Sequence, residues 1–349
     1  MTISLPAPPD AENLRRAERF FGLYALQTLV GPSEVPYYLG SLENRSCRFC
    51  GKSAPEVAFK KVAHAIPDFM GNRNVFAYFE CDTCNVLFAK YEDSFANFLG
   101  VSRTFHQIRG KGNKIPKFKD PKTGFEVERG ANSIEMRVFE EHDPITIDHE
   151  AKTMKLVTER PGHVPLHIVK LLIKIGLTLL DPYEVADYAW ACKFITSEAA
   201  DASFKDDKLL YIYGYALPGP AIFRAPFAHL YTRKAGVTED VVEKQLVLFF
   251  ANYFFQIVLP FGQTDQRLHG KTITVPRYPL LIQQERLNKF GPAQVLTWNF
   301  TSSEKQKAAS HTLSFTFEGT VEYPVNQAPD ASASVPDTMP ATPPADLSS

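Results

Sequence analysis

The sequence predicts an α+β protein, a small cysteine-framed module followed by a larger mixed α+β domain. Three observations carry that reading. Two C-x-x-C pairs, Cys47/Cys50 and Cys81/Cys84, enclose thirty residues that read as strand, strand and the approach to a helix. From 125 to 322, short runs of β-branched and aromatic residues alternate with two helical stretches. The 349 residues are 44% hydrophobic and 22% charged, an ordinary globular balance with room for two domains plus appendages.

Residues 1–44 read as an N-terminal helical arm. DAENLRRAERFFGLYALQTLV (10–30) is amphipathic at helical spacing, with Asp10 as N-cap and Gly31-Pro32 as terminator. The cysteine module spans 45–100. VAFKKVAHAIP reads as its first strand, DFMGNRN reverses the chain at Gly71, and NVFAYFE reads as its second strand. NVLFAKYEDSFANFL then sets Val86 or Leu87, Tyr91, Phe95 and Phe98 or Leu99 on one helical stripe. Residues 101–124 form a basic, poorly periodic connector carrying Arg103, Arg109, Lys111, Lys114, Lys117, Lys119 and Lys122 against one acid, Asp120.

The α+β domain spans 125–322. SIEMRVFEE and the pair in ITIDHEAKTMKLVTER read as strands, the pair turning near Glu150–Lys152. Helices follow around 164–180 and 182–197, parted by Asp181-Pro182. KLLYIYGYAL, AIFRAPFAHLYTR, QLVLFFANYFFQIVLPF, QVLTWNF and TLSFTFEGTVEY complete the strand-like runs. The Pro/Ala/Ser-rich tail, 323–349, lacks the apolar surface to order itself.

A net charge of -1 does not steer the whole molecule toward polyanions, so any nucleic-acid surface must be local. The apolar runs 165–180 and 245–260 are short of a membrane span and carry Lys170, Lys174, Asn252 and Gln256. MTISLPAPPD has no secretory pattern, so the expectation is a soluble, cytoplasmic protein. Five cysteines then argue against a disulfide framework. Cys192, in DYAWACKF, reads as a buried, inert thiol.

Two C-x-x-C pairs at this separation match the zinc-ribbon or treble-clef class, in which four thiolates converge on one tetrahedral Zn²⁺. With four protein ligands no position is open to water, so the zinc would be structural. It would also supply much of the folding free energy of a module with little core of its own.

His64 lies in A-H-A-I-P, fourteen residues after Cys50; Asn74 opens the second strand and Asn85 follows Cys84. This C-x-x-C, H-x-x-P, C-x-x-C-N order resembles the HNH (ββα-metal) endonuclease superfamily, in its zinc-bearing branch typified by phage recombination endonuclease VII. The resemblance covers roughly 45–100. It implies a metal-dependent endonuclease hydrolysing DNA, with His64 as general base and Asn74 bracing the loop that orients the histidine strand. Asn85 would be the ligand of a catalytic Mg²⁺ or Mn²⁺. A histidine base suits neutral pH, and an amide oxygen suits a hard cation. The pattern departs at Ala63, where many HNH enzymes carry a second metal ligand. Two readings stand open: an ion held through Asn85, helped by Asp68, or a catalytically inactive zinc module binding nucleic acid or a protein. Glu92, seven residues beyond Asn85, reads as a salt-bridge partner.

Beside that module, Arg109, Lys111, Lys114, Lys117 and Lys119 are candidate phosphate contacts, with Phe105 and Phe118 as stacking surfaces. His142, His149, His163, His167, His229, His269 and His311 show no ligand spacing. By analogy with bacterial anti-phage effectors, the C-terminal domain would take a regulatory ligand or partner.

Overall fold

The computed structural model describes residues 11–319 apart from 44, 121, 131–132, 140–142, 198–209, 260–261 and 283. Asp10 and the tail 323–349 lie outside the described residues. The amphipathic run is not one helix. Helix α1 (Ala11–Leu23) gives way directly to strand β1 (Tyr24–Val30). The second half, YALQTLV, is rich in strand formers, and tertiary pairing overrides its helical spacing. The Tyr24 hydroxyl donates to the carbonyl of Val242 at 2.9 Å, locking the junction into the interior.

The cysteine module has the expected order, with one strand more. Strand β2 (Tyr37–Leu39) runs parallel to β4 (Val75–Ala77), and β3 (Ala63–His64) pairs antiparallel on β4's other side. Helix α2 (Asp82–Leu99) follows, with the Cys81 sulfur accepting from the Cys84 N–H at its start. Strand β3 is far shorter than the run that predicts it. The N–H groups of Lys60 and Lys61 donate to the Asp82 carboxylate at 3.1 and 3.0 Å rather than to a ladder. Gly71 makes the reversal at φ 95°, and a Cβ there would meet the Arg224 carbonyl oxygen at 2.9 Å. On α2, Phe88, Tyr91, Phe95, Phe98 and Leu99 are buried, whereas Val86 faces solvent.

The basic stretch is not a free connector. It holds helix α3 (Ser102–Phe105) and strand β5 (Phe118–Lys119), which pairs with β6 (Glu126–Arg129) and through it with β7 (Ile134–Arg137). Phe118 is buried with Val101, Phe125, Val127 and Leu156, and Phe105 packs on Phe315 at 4.8 Å. Neither ring is therefore a surface for stacking. Apolar residues spaced between the lysines give the segment a core-facing side, which its charge obscured.

Strands β8 (Ile145–Asp148) and β9 (Thr153–Arg160) form the expected hairpin. Helix α4 (Pro165–Thr178) is the expected first helix, whereas the second begins as a 3-10 turn (Pro182–Tyr188) before α5 (Ala189–Thr196). Then come β10 (Tyr211–Ala216), β11 (Phe223–Arg233), β12 (Lys244–Ala251) and β13 (Tyr253–Leu259). A short helix α6 (Gln284–Phe290), strand β14 (Gln294–Asn299) and β15 (Ala309–Thr316) follow. The run 245–260 is two strands. Asn252 makes the turn between them, accepting from the Ile222 N–H at 2.9 Å and donating to the Gly219 carbonyl.

The main sheet has six antiparallel strands, in the order β1-β11-β12-β13-β10-β14, so the N-terminal arm contributes an edge strand. A second sheet has the order β15-β9-β8. Helix α4 is buried along its length except at His167, and it lies between α2, α5 and strands β11 to β13. Phe88 and Phe95 of α2, Leu171 and Leu172 of α4, and Leu246 and Phe255 of the sheet belong to one buried cluster. The cysteine module thus rests on a core shared with the C-terminal strands. No described helix is long and apolar enough to cross a membrane.

Candidate metal centre and histidine site

All five cysteines are free thiols. The sulfurs of Cys47, Cys50, Cys81 and Cys84 lie within 4.8 Å of one another, Cys47 to Cys84 at 3.7 Å and Cys50 to Cys81 at 3.8 Å. A tetrahedral metal with thiolates at about 2.3 Å has sulfur-sulfur edges of about 3.8 Å, so the four fit a metal ion. Hydrogen bonding with Cys84, helped by backbone N–H groups, holds the Cys47 thiol below its ordinary value. Among the described residues this is the one group of three or more His, Cys, Asp or Glu able to hold a metal. Cys192 stands apart and buried, and its thiol is pushed up to about 11 by burial.

Arg48, inside the first knuckle, ties the centre to α4. Its guanidinium donates at 2.9 Å to the carbonyls of Leu177, Thr178 and Leu180 and lies 3.8 Å over the Phe79 ring. Helix α4 has no basic residue in its own last turn, and Arg48 supplies the cation that a helix C-terminus favours.

Strand alternation sets the direction of His64. Ala63 and Ala65 turn inward with Val75 and Ala77, and His64 shares the opposite face with its cross-strand partner Phe76. The imidazole sits 4.9 Å from the Phe76 ring and makes no hydrogen bond among the described residues. Burial holds it below its ordinary 6.5, aided by Lys174 and Arg73 and opposed by Asp68, so the ring is neutral at pH 7. Behind the strand, Lys174 of α4 donates to the His64 carbonyl at 3.0 Å and ion-pairs Glu80 at 2.9 Å.

The loop between β3 and β4 is braced by Asn72, not Asn74. Asn72 is 4% exposed; its amide donates to the carbonyls of Ile66 and Val75 at 2.6 and 2.8 Å and accepts from the Val75 N–H at 3.0 Å. Asn74 instead donates to the carbonyls of Ser33 and Glu34 at 2.7 and 3.2 Å, fastening the segment before β2. The expected role thus moves two residues, because Asn72 lies inside the loop and Asn74 at its outer rim. Its signal in the sequence was proximity to Gly71, where a turn asks for a side-chain partner.

Asp68 is ion-paired with Arg73. Asn85 occupies the first turn of α2, half-buried, its N–H bonded to the Cys81 carbonyl. Glu92 makes no ion pair among the described residues, contrary to the expectation for it. Burial pushes its carboxyl up to about 7, against the pull of Lys174 and with the added push of Glu80, Asp93 and Asp68.

In the basic segment, Lys117 pairs with Glu128 and Lys119 with Glu126 across the small sheet. Arg109 donates to the Asn113 carbonyl at 2.9 Å, and Lys111 opens a 3-10 turn. Lys114 makes no ion pair among the described residues. Sequence reading missed Asn72, Arg48, Glu80 and Lys174. For Lys174 a signal existed, since a lysine within a continuously apolar helical run requires a buried partner.

Residues 47–98 match the HNH endonuclease family. The matched stretch begins at the first metal-site cysteine and ends one residue short of the end of α2. No curated protein and no solved structure matches the chain. The stretch 47–98 is thus similar to the HNH endonuclease family, and it carries a four-cysteine cluster able to hold a metal.

Proposed function

We propose that this chain is a metal-dependent HNH endonuclease hydrolysing phosphodiester bonds in DNA, serving as a bacterial anti-phage effector. The observation that carries the reading is His64, neutral at pH 7, on the outward face of β3 within the HNH-matched stretch. Cys47, Cys50, Cys81 and Cys84 would hold a structural Zn²⁺, as in the branch that phage recombination endonuclease VII typifies. Asn85, with Asp68 released from Arg73, would hold a Mg²⁺ or Mn²⁺, which when bound neutralises charge on the phosphate and the departing oxygen.

The residues of the chain do the rest. His64 takes a proton from a water molecule whose oxygen attacks phosphorus; the bond to the 3′-oxygen breaks, and that oxygen leaves protonated from solvent. Asn72 and Lys174 keep the histidine strand in place by holding main-chain carbonyls of Ile66, Val75 and His64. Arg109, Lys111, Lys114, Lys117 and Lys119 would contact phosphates, the paired lysines by exchanging Glu126 and Glu128 for the backbone.

A specific observation favours a second reading, a zinc module that binds nucleic acid without cutting it. Ala63 is 2% exposed and offers no ligand, and Asp68 is engaged by Arg73. Incubating the purified chain with supercoiled plasmid and Mg²⁺ or Mn²⁺, with and without chelator, separates the two. Metal-dependent nicking supports the nuclease, and binding with intact plasmid supports the second reading.

A further inference from the structure

Four rings stand together on the outward face of the β2-β4-β3 sheet. Tyr38 of β2 lies opposite Phe76 of β4, and Phe76 lies opposite His64 of β3, so the three share one face across three strands. Tyr78, two residues beyond Phe76, continues the row. Tyr38 stacks on Tyr78 at 4.6 Å and 4° and on Phe76 at 5.3 Å and 23°, and Phe76 touches the His64 imidazole at 4.9 Å. The row ends at the imidazole proposed to activate water.

Core formation does not account for this face. The core of the module lies on the other side of the sheet, where Ala65, Val75 and Ala77 are buried. Tyr38 remains 40% exposed, and Val62, two residues before His64, is exposed to the same extent. Exposed Lys60 and Lys61 sit directly before Val62. An aromatic row flanked by lysines and running into a phosphodiester-cleaving histidine suits a ligand with flat π-faces joined by anionic links.

We infer that this row is a stacking platform for unpaired bases of the polynucleotide strand cut at His64, so the preferred substrate is single-stranded or locally unpaired nucleic acid. In an intact duplex the base faces are covered by their neighbours, whereas an unpaired strand offers every base to a ring. The inference rests on the nuclease reading for the placement of the phosphate, but the platform itself is testable by binding alone.

The test is equilibrium binding of fluorescein-labelled oligonucleotides to the full chain in chelator-free buffer without Mg²⁺ or Mn²⁺. Single-stranded DNA, single-stranded RNA and duplex DNA of one sequence are compared for the parent, Tyr38→Ala, Tyr38→Phe and His64→Ala. The parent is expected to favour the single strands, and Tyr38→Ala to weaken them about tenfold or more with little change for the duplex. Tyr38→Phe, which keeps the ring, should bind like the parent; His64→Ala, which removes the ring at the end of the row, should weaken single strands less than Tyr38→Ala and should not cleave once Mg²⁺ or Mn²⁺ is added. Equal affinity of the parent for single strand and duplex overturns the platform, as does Tyr38→Ala binding single strands like the parent. A parent that binds no oligonucleotide also overturns it and leaves the face to a protein partner. Normal platform behaviour with no cleavage by the parent once Mg²⁺ or Mn²⁺ is added would sink the nuclease reading and leave the platform standing.

Discussion

The buried ammonium of Lys174 donates to the main-chain carbonyl of His64 at 3.0 Å and ion-pairs Glu80 at 2.9 Å. A lysine of α4 thereby fixes the strand that presents the histidine, and a carboxylate next to a metal-site cysteine balances its charge. Removing one partner of a buried pair costs about 3–5 kcal/mol, because the other charge is left uncompensated. Lys174→Met should therefore destabilise the chain by that order in chemical unfolding. Adding Glu80→Gln should recover part of the loss. Equal stability of Lys174→Met and parent would show that the pair does not form.

Arg48 gives a second, separable link. Arg48→Met should cost about 2 kcal/mol in the same unfolding measurement, since three carbonyls at the end of α4 lose a charged donor. The metal content should stay at its parent value, because Arg48 offers no ligand. A fall in bound metal equal to that of a cysteine variant would contradict this separation.

The cysteine centre is tested by metal analysis. The parent should carry about one zinc per chain, and Cys81→Ser should lose it and destabilise the module. Cys192→Ser should keep it. Thiol labelling of the native, metal-loaded parent should leave Cys192 unreacted, its thiol pushed up to about 11 by burial.

What the sequence displayed and what it hid divide along physical lines. The four cysteines, the ββα order and the 3.6-residue stripe of α2 were legible because each is a local pattern. The split of 10–30 into α1 and β1 was not, because Tyr24–Val30 becomes a strand only by pairing with β11. Nor was the change from Asn74 to Asn72 as brace, which depends on which side chain a three-dimensional loop turns inward. The lysines of 101–123 read as a free connector because charge dominated the pattern, while Val101 and Phe118 carried the burial.

Among the candidate phosphate contacts, Lys117 and Lys119 are already paired and Lys114, among the described residues, is not, which gives them different weights in nucleic-acid binding. Lys114→Gln should lower the salt slope of DNA binding by about one unit. Lys117→Gln and Lys119→Gln should each lower it by less, since Glu128 and Glu126 compete with phosphate. Identical slopes for all three variants and the parent would remove the segment from the interface.

The pH profile of cleavage follows from His64. Burial holds its pKa below 6.5, so the neutral base persists as pH falls through 6.5. The acid limb of the rate should therefore lie below 6.5, where protonation finally removes the base. The groups facing it, Asp68, Arg73 and Lys174, set that limb, and Asp68→Asn should move it lower still by removing the charge that favours the imidazolium. An acid limb above 6.5 would contradict the assignment.

The most direct test is the rate of DNA cleavage by His64→Ala against the parent, at matched content of the cysteine-bound metal. Metal-dependent cleavage by the parent is expected, with a loss of at least about a hundredfold in the variant, the usual share of a general base. Cleavage by His64→Ala at the parent rate would contradict it.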